Sequence, residues 1–103
     1  MIMMSFEELD ALVIDWARDK GILEKATPIA QAVKTGEEYN EMLLAIVQEN
    51  RDELIDSIGD QVVTLIIQCE MNGLKLVNCL ETAYKVIANR QGKMVGGQFV
   101  KDA

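Results

Sequence analysis

Histidine is absent from the 103 residues, and the two cysteines, Cys69 and Cys79, stand apart rather than in close-set ligand pairs. The first absence excludes imidazole acid–base catalysis, and the two together argue against structural zinc or haem. Both cysteines lie in apolar helical patterns, where reduced core thiols are expected and no disulfide is needed. The Glu-x-x-His ligands of a carboxylate-bridged di-iron bundle are missing as well. No apolar run approaches the roughly 20 residues needed to span a bilayer. The longest, residues 61–67, is interrupted by polar side chains. Residues 1–8 have no basic region and turn acidic at once, so no secretory signal is read and a cytoplasmic location is expected. Positive charge is scarce: ten basic residues stand against seventeen acidic ones, for a formal charge of −7. That balance repels a nucleic-acid backbone, so neither nucleic acid nor membrane is expected as a partner. A phosphate-rich small molecule remains compatible with it, provided divalent cations bridge the two sets of negative charge.

What is present reads as one globular domain over residues 1–103, half of it apolar and 26% charged. Four helical segments are expected, and no strand competes with them over the first 90 residues. The first opens on the capping box Ser5-x-x-Glu8, places Phe6, Leu9, Leu12, Val13 and Trp16 at helical spacing, and ends at Gly21. The second starts at Thr27-Pro28, a capping hydroxyl followed by proline at the first helical position, and runs to about Gln48. Gly36 weakens its interior by about 1 kcal/mol relative to alanine. The third begins at Asn50, with Glu53 completing the cap pattern, and continues to about Met71 before Asn72-Gly73. Beyond Asp60 its apolar residues cover nearly the whole circumference, as in a helix central to a bundle or buried against another subunit. The fourth runs from about Leu76 to Arg90. The glycine-containing remainder after Gly92 suits an extended arm or a small hairpin. The expected fold is therefore an all-α, four-helix bundle-like domain with a short extended tail.

Acidic residues gather on the second and third segments. Glu37, Glu38 and Glu41 lie on the second, and the three-residue step from Glu38 to Glu41 sets two carboxylates about 60° apart on one face, able to share a cation. On the third, Glu53, Asp56 and Asp60 follow at i, i+3 and i+7 in a narrow stripe that runs on into Val63, Thr64 and Ile67. Asp60 is thus expected at the edge of the core. If the two segments pack antiparallel, the stripes face each other and offer oxygen ligands only, which suits Mg²⁺ or Mn²⁺. The competing reading of the same spacing is a solvated acidic surface without a ligand.

Lys34-Thr35-Gly36-Glu37-Glu38-Tyr39-Asn40-Glu41, followed by Asp56-Ser57-Ile58-Gly59-Asp60-Gln61-Val62-Val63, resembles the MazG-like pyrophosphohydrolase pattern, the first half matching its Lys-x-x-Glu-Glu-x-x-Glu element. The resemblance extends to Trp16-Ala17, to Gln31, and to Arg90-Gln91-Gly92-Lys93-Met94 with Gly97-x-Phe99-Val100-Lys101, and so covers almost the whole chain. It implies Mg²⁺-dependent hydrolysis of a nucleoside triphosphate between the α and β phosphates, giving a monophosphate and pyrophosphate. It implies Glu38, Glu41 and Asp60 as metal ligands, with Glu41 or Glu38 as the base. Where the family carries an acidic residue three before the aspartate, this chain has Ser57; Asp56 and Glu53 are the candidates to complete the set. Gln31 and Lys34 fall within the resemblance as substrate-binding residues, and Trp16 is either a nucleobase-stacking ring or a packed core indole. Lys85 and Asn89 on one face of the fourth segment, with Arg90 adjacent and Lys93 following in the tail, are further candidates to bind phosphate.

Two other expectations accompany this reading. One is a non-catalytic MazG-like helical module that binds a nucleotide or a protein without turnover, because Ser57 interrupts the acidic set. The other is assembly into a homodimer or homotetramer, because four short helices leave the apolar third segment incompletely covered.

Overall fold

Capping residues mark where the helices begin. In the computed structural model, which describes residues 3–103, Ser5 Oγ accepts the Glu8 backbone N–H at 3.1 Å and the Glu8 carboxylate accepts the Ser5 N–H in return. Met1 and Ile2, part of the segment read for a signal, lie outside the described residues. Helix α1 follows as Phe6–Asp19. Thr27 Oγ1 accepts the Ala30 N–H to open α3, Pro28–Val47, and Asn50 Oδ1 accepts the Glu53 N–H to open α4, Arg51–Met71. Between α1 and α3 the chain forms a further short helix, α2, Ile22–Lys25. Four residues are too few to display a helical period, which is why the sequence pattern does not announce it.

Two paired-bond turns stop α3 and α4. After α3, Asn50 N–H reaches Ala45 O and Glu49 N–H reaches Ile46 O, with Glu49 in the left-handed region at φ 53°. After α4 the same pattern uses Gly73, φ 68°, with Leu74 N–H on Cys69 O. Helix α5, Leu76–Ile87, ends three residues short of the expected Arg90. Arg90 N–H closes a turn on Ile87 O instead, so Asn89 and Arg90 leave the helix and the shared face read for Lys85 and Asn89 does not form.

The tail is an antiparallel hairpin, β1 Gly92–Val95 with β2 Gln98–Lys101, in register Val95 to Gln98 and Gly92 to Lys101. Its two-residue turn, Gly96-Gly97, has positive φ at both positions, the geometry whose twist matches that of paired strands. Gly92 is demanded for another reason: a Cβ there would lie 2.4 Å from Val100 O and 2.5 Å from the Phe99 ring.

Helices α3 and α4 form the central pair, with α1 and α2 laid against α4. The buried apolar side chains are Ile14 and Ala17 from α1, Ala45 from α3, and Ile66, Ile67 and Cys69 from α4. Among the described residues helix α5 packs on α4 alone and has no buried residue, and the hairpin strands pack only on each other. No helix of the described residues is long and apolar enough to cross a membrane.

Candidate metal centre

Helix periodicity puts Gln31, Thr35 and Glu38 on one face of α3, turned toward α4. Gln31 Nε2 donates to Thr64 O at 3.1 Å, and Thr35 Oγ1 lies 2.9 Å from Thr64 Oγ1. Further along, Gln61 Nε2 donates to Ser57 O and reaches Met42 Sδ, while Gln68 Nε2 donates to Pro28 O. Late residues of α4 therefore meet early residues of α3, so the two helices run antiparallel. Buried amide and hydroxyl groups must be paired or they destabilise the fold, and the Gln31–Thr64 and Thr35–Thr64 pairings are satisfied in one register only.

One turn beyond this seam stand the carboxylates. Oxygens of Glu38, Glu41 and Asp60 lie within 4.8 Å of one another. Glu38 is 7% exposed, Asp60 is half-buried and Glu41 is open to solvent. Lys34 Nζ sits 3.4 Å from Glu38 Oε1 and 3.4 Å from Glu37 Oε2, while Glu38 Oε2 is buried with no hydrogen-bond partner among the described residues. An orphaned carboxylate oxygen of this kind is costly unless a cation or donor meets it. Hydrogen bonds from Lys34 to Glu37 and Glu38 hold its ammonium above the ordinary lysine value. Partial burial pushes the Asp60 carboxyl above the usual carboxylate range, and the like charges of Asp56 and Glu38 push the same way against the opposing Lys34. The three clustered carboxylates supply hard oxygen donors, one of them unpartnered, and this chemistry fits Mg²⁺ or Mn²⁺.

A cleft of about 200 Å³ opens beside the cluster, with Trp16, Gln31, Lys34, Glu38 and Asp60 in its wall. It adjoins a second hollow of about 320 Å³ lined by Leu9, Leu12, Val13, Trp16 and Val63, with Asp60 at its edge. Trp16 is 48% exposed and lies in both walls, so its indole is not a packed core ring.

Among the other expected residues, Asp56 is exposed and close enough to Asp60 to raise it, but it stands outside the trio, as does Glu53. Ser57 is 1% exposed and donates to Leu54 O, so its side chain is spent inside α4. Gln31 lines the cleft but its Nε2 is committed to Thr64 O, which makes it a register residue in addition to a wall residue. Lys85 pairs with Glu81 on exposed α5, and neither it nor Asn89, Arg90 or Lys93 lines either cleft. Lys85, Arg90 and Lys93, the cations expected at the phosphates, are thus not brought to the carboxylates within one chain; the cation that is, Lys34, comes from α3. The Thr35–Thr64 contact was not read from the sequence. Its signal was Thr64 interrupting the apolar run 62–67 at a position that the helical period turns inward.

An uncharacterized 18.2 kDa protein in the rep-hol intergenic region of Haemophilus phage HP1 (strain HP1c1) is 31% identical over 75 residues, which is 73% of this chain and 46% of that protein. The chain therefore spans less than half the length of the curated relative it matches. No protein-family model matches the chain, and no solved structure does.

Proposed function

We propose that this chain is a Mg²⁺- or Mn²⁺-dependent nucleoside triphosphate pyrophosphohydrolase of the MazG-like kind. The observation that carries the reading is the buried, unpartnered Glu38 Oε2 placed with Glu41 and Asp60 across the α3–α4 interface, at the mouth of a cleft walled by a half-exposed tryptophan. A cation bound there would neutralise phosphate oxygens and the carboxylates together. Glu38, Glu41 and Asp60 would hold it. Lys34 fixes the orientation of Glu38 by taking Oε1 and leaving Oε2 for the site. With both Glu38 oxygens so engaged, the exposed Glu41 accepts the proton of the attacking water as the water oxygen bonds to the α phosphorus. The α–β bridging bond then breaks and pyrophosphate departs. Trp16 offers a face for the nucleobase, with the apolar hollow behind it.

The test is a panel of nucleoside and deoxynucleoside triphosphates with Mg²⁺, reading pyrophosphate against orthophosphate. Metal-dependent pyrophosphate release is expected from at least one of them. Orthophosphate as first product, or no turnover across the panel, overturns the enzyme reading. Ser57, buried where the family pattern has an acidic residue, favours the second reading, a nucleotide- or protein-binding module without turnover. Saturable nucleotide binding with no product would select it.

The same reading includes a homodimer or homotetramer. The chain exposes 8137 Å², against roughly 5800 Å² for a compact monomer of its mass. The excess is on the scale of an obligate subunit interface. Its Cα radius of gyration, 16.1 Å, likewise exceeds the roughly 13 Å of a compact domain of about 100 residues. Light scattering at micromolar concentration checks this, and a mass of 11.5 kDa would refute it.

A further inference from the structure

Cys69 and Cys79 lie ten residues apart on different helices, and their sulfurs are 4.0 Å from each other. The turn at Gly73 folds α5 back on α4 and creates this approach. Cys69 is buried near the end of α4, while Cys79 is only half-buried on α5.

We propose that Cys69 and Cys79 form a reversible disulfide site, closed by exchange with a low-molecular-weight disulfide such as oxidised glutathione, and that closure staples α5 to α4. Bond formation requires the sulfurs to approach by about 2 Å, since a disulfide spans roughly 2.05 Å. Within one chain helix α5 can supply that movement, because among the described residues it packs on α4 alone and buries no residue, so no core contact of its own chain opposes the shift. Cys79 is the accessible partner and reacts first. Its thiolate attacks one sulfur of oxidised glutathione, forming a mixed disulfide and expelling one glutathione thiolate. The Cys69 thiol then loses its proton to water, its sulfur attacks the Cys79 sulfur, and the second glutathione thiolate leaves. Two protein thiols are oxidised and one glutathione disulfide is reduced to two thiols. Burial, the adjacent Cys79 and the charge of Asp10 hold the Cys69 thiol above its usual value, which disfavours it as the initial attacker and suits it to the resolving step.

The experiment equilibrates the full chain with mixtures of reduced and oxidised glutathione, folded and in urea, and reads acid-quenched samples by intact mass. The folded chain is expected to lose two hydrogen atoms and to yield, after trypsin, residues 52–75 joined to residues 76–85, reversed by dithiothreitol. Its midpoint should lie at a glutathione ratio at least about tenfold more reducing than in urea, because a fold that holds the thiols together favours the closed form by that factor. Cys69→Ser should stop at a glutathione adduct on Cys79. A folded-chain midpoint equal to or less reducing than that in urea overturns the proposal. So does a native chain that halts at the mixed disulfide or links to a second chain, or a Cys69→Ser variant that takes no adduct.

Discussion

The α3–α4 pair and the segment formed by α5 and the hairpin both carry local signals but differ in what they bury. Asn50, Thr27 and the Gly73 turn delimit the first pair; Gly92, Gly96 and Gly97 shape the hairpin of the second. Yet the first pair holds Ala45, Ile66 and Ile67 in a core and locks its register through Gln31, Thr35 and Thr64, while α5 leaves Leu80 66% exposed and Tyr84 62% exposed. Local signals make an element; only a partner surface makes it part of a core. The α3–α4 pair finds its partner within the chain. The apolar face of α5 does not, and the proposed assembly is where it would find one.

The largest expected effect tests the functional side of that contrast. Asp60→Asn keeps the size of the side chain and removes one charge, and is expected to lower pyrophosphate release by at least about 100-fold, the scale of losing metal-borne charge stabilisation. Mg²⁺ should then raise the melting temperature of the parent more than that of the variant. A variant that retains both activity and its metal-induced shift would make Asp60 an ordinary surface residue.

A second comparison sets the two regions against each other directly. Ile67→Ala should cost about 2–5 kcal/mol in urea unfolding, because it empties a packed site. Leu80→Ala, at protein concentrations where the chain is monomeric, should cost under about 1 kcal/mol, as for an exposed position. Equal losses would mean that α5 is as well buried as α4.

Leu80→Glu places a charge on the unpartnered face of α5. It is expected to reduce the solution mass toward 11.5 kDa while far-ultraviolet circular dichroism keeps the helical signal of α3 and α4. An unchanged oligomer mass would move the interface elsewhere.

The effect of pH is smaller. The Asp60 carboxyl is raised above its ordinary 3.8, so over the window above that value the folded chain holds a proton that the unfolded chain has lost. The stability of the metal-free parent, relative to Asp60→Asn, should therefore fall as pH rises through the window. Parallel stability curves for the two proteins would mean that neither burial nor the neighbouring carboxylates raise Asp60. Smallest of all, Gly36→Ala should stabilise by about 0.5–1 kcal/mol, since a Cβ there meets nothing within 4 Å and the helix gains backbone rigidity. A loss instead would indicate that a second chain packs closely at Gly36.

Much of the fold was legible because its signals are local. Ser5 with Glu8 and Thr27 with Pro28 mark helix starts whose hydrogen bonds form as the spacing implies, while Asn50 takes the Glu53 N–H without the return bond of a capping box among the described residues. The end of α5 was not legible: nothing in Ala88-Asn89-Arg90 forbids another helical turn, and the halt comes from the bond of Arg90 N–H to Ile87 O. At the site, the i to i+3 step brought Glu38 and Glu41 together on paper as it does in space. The choice of Asp60 over Asp56 and Glu53 depended on how far α4 slides along α3, which the seam at Thr64 decides.

By itself the sequence determined the all-α class, the starts of α1, α3, α4 and α5 and the two acidic stripes, because each rests on contacts within a few residues along the chain, while it left the tail open between an extended arm and a hairpin. Tertiary structure alone decided that one oxygen of Glu38 is buried without a partner, that Trp16 is half-exposed in a cleft wall, that Ser57 points inward, and that Lys85, Asn89, Arg90 and Lys93 stand away from the carboxylates. Burial and distance across helices depend on the antiparallel docking of α3 on α4 and on the lone attachment of α5, and helical periodicity places a side chain on a face without saying what that face will meet.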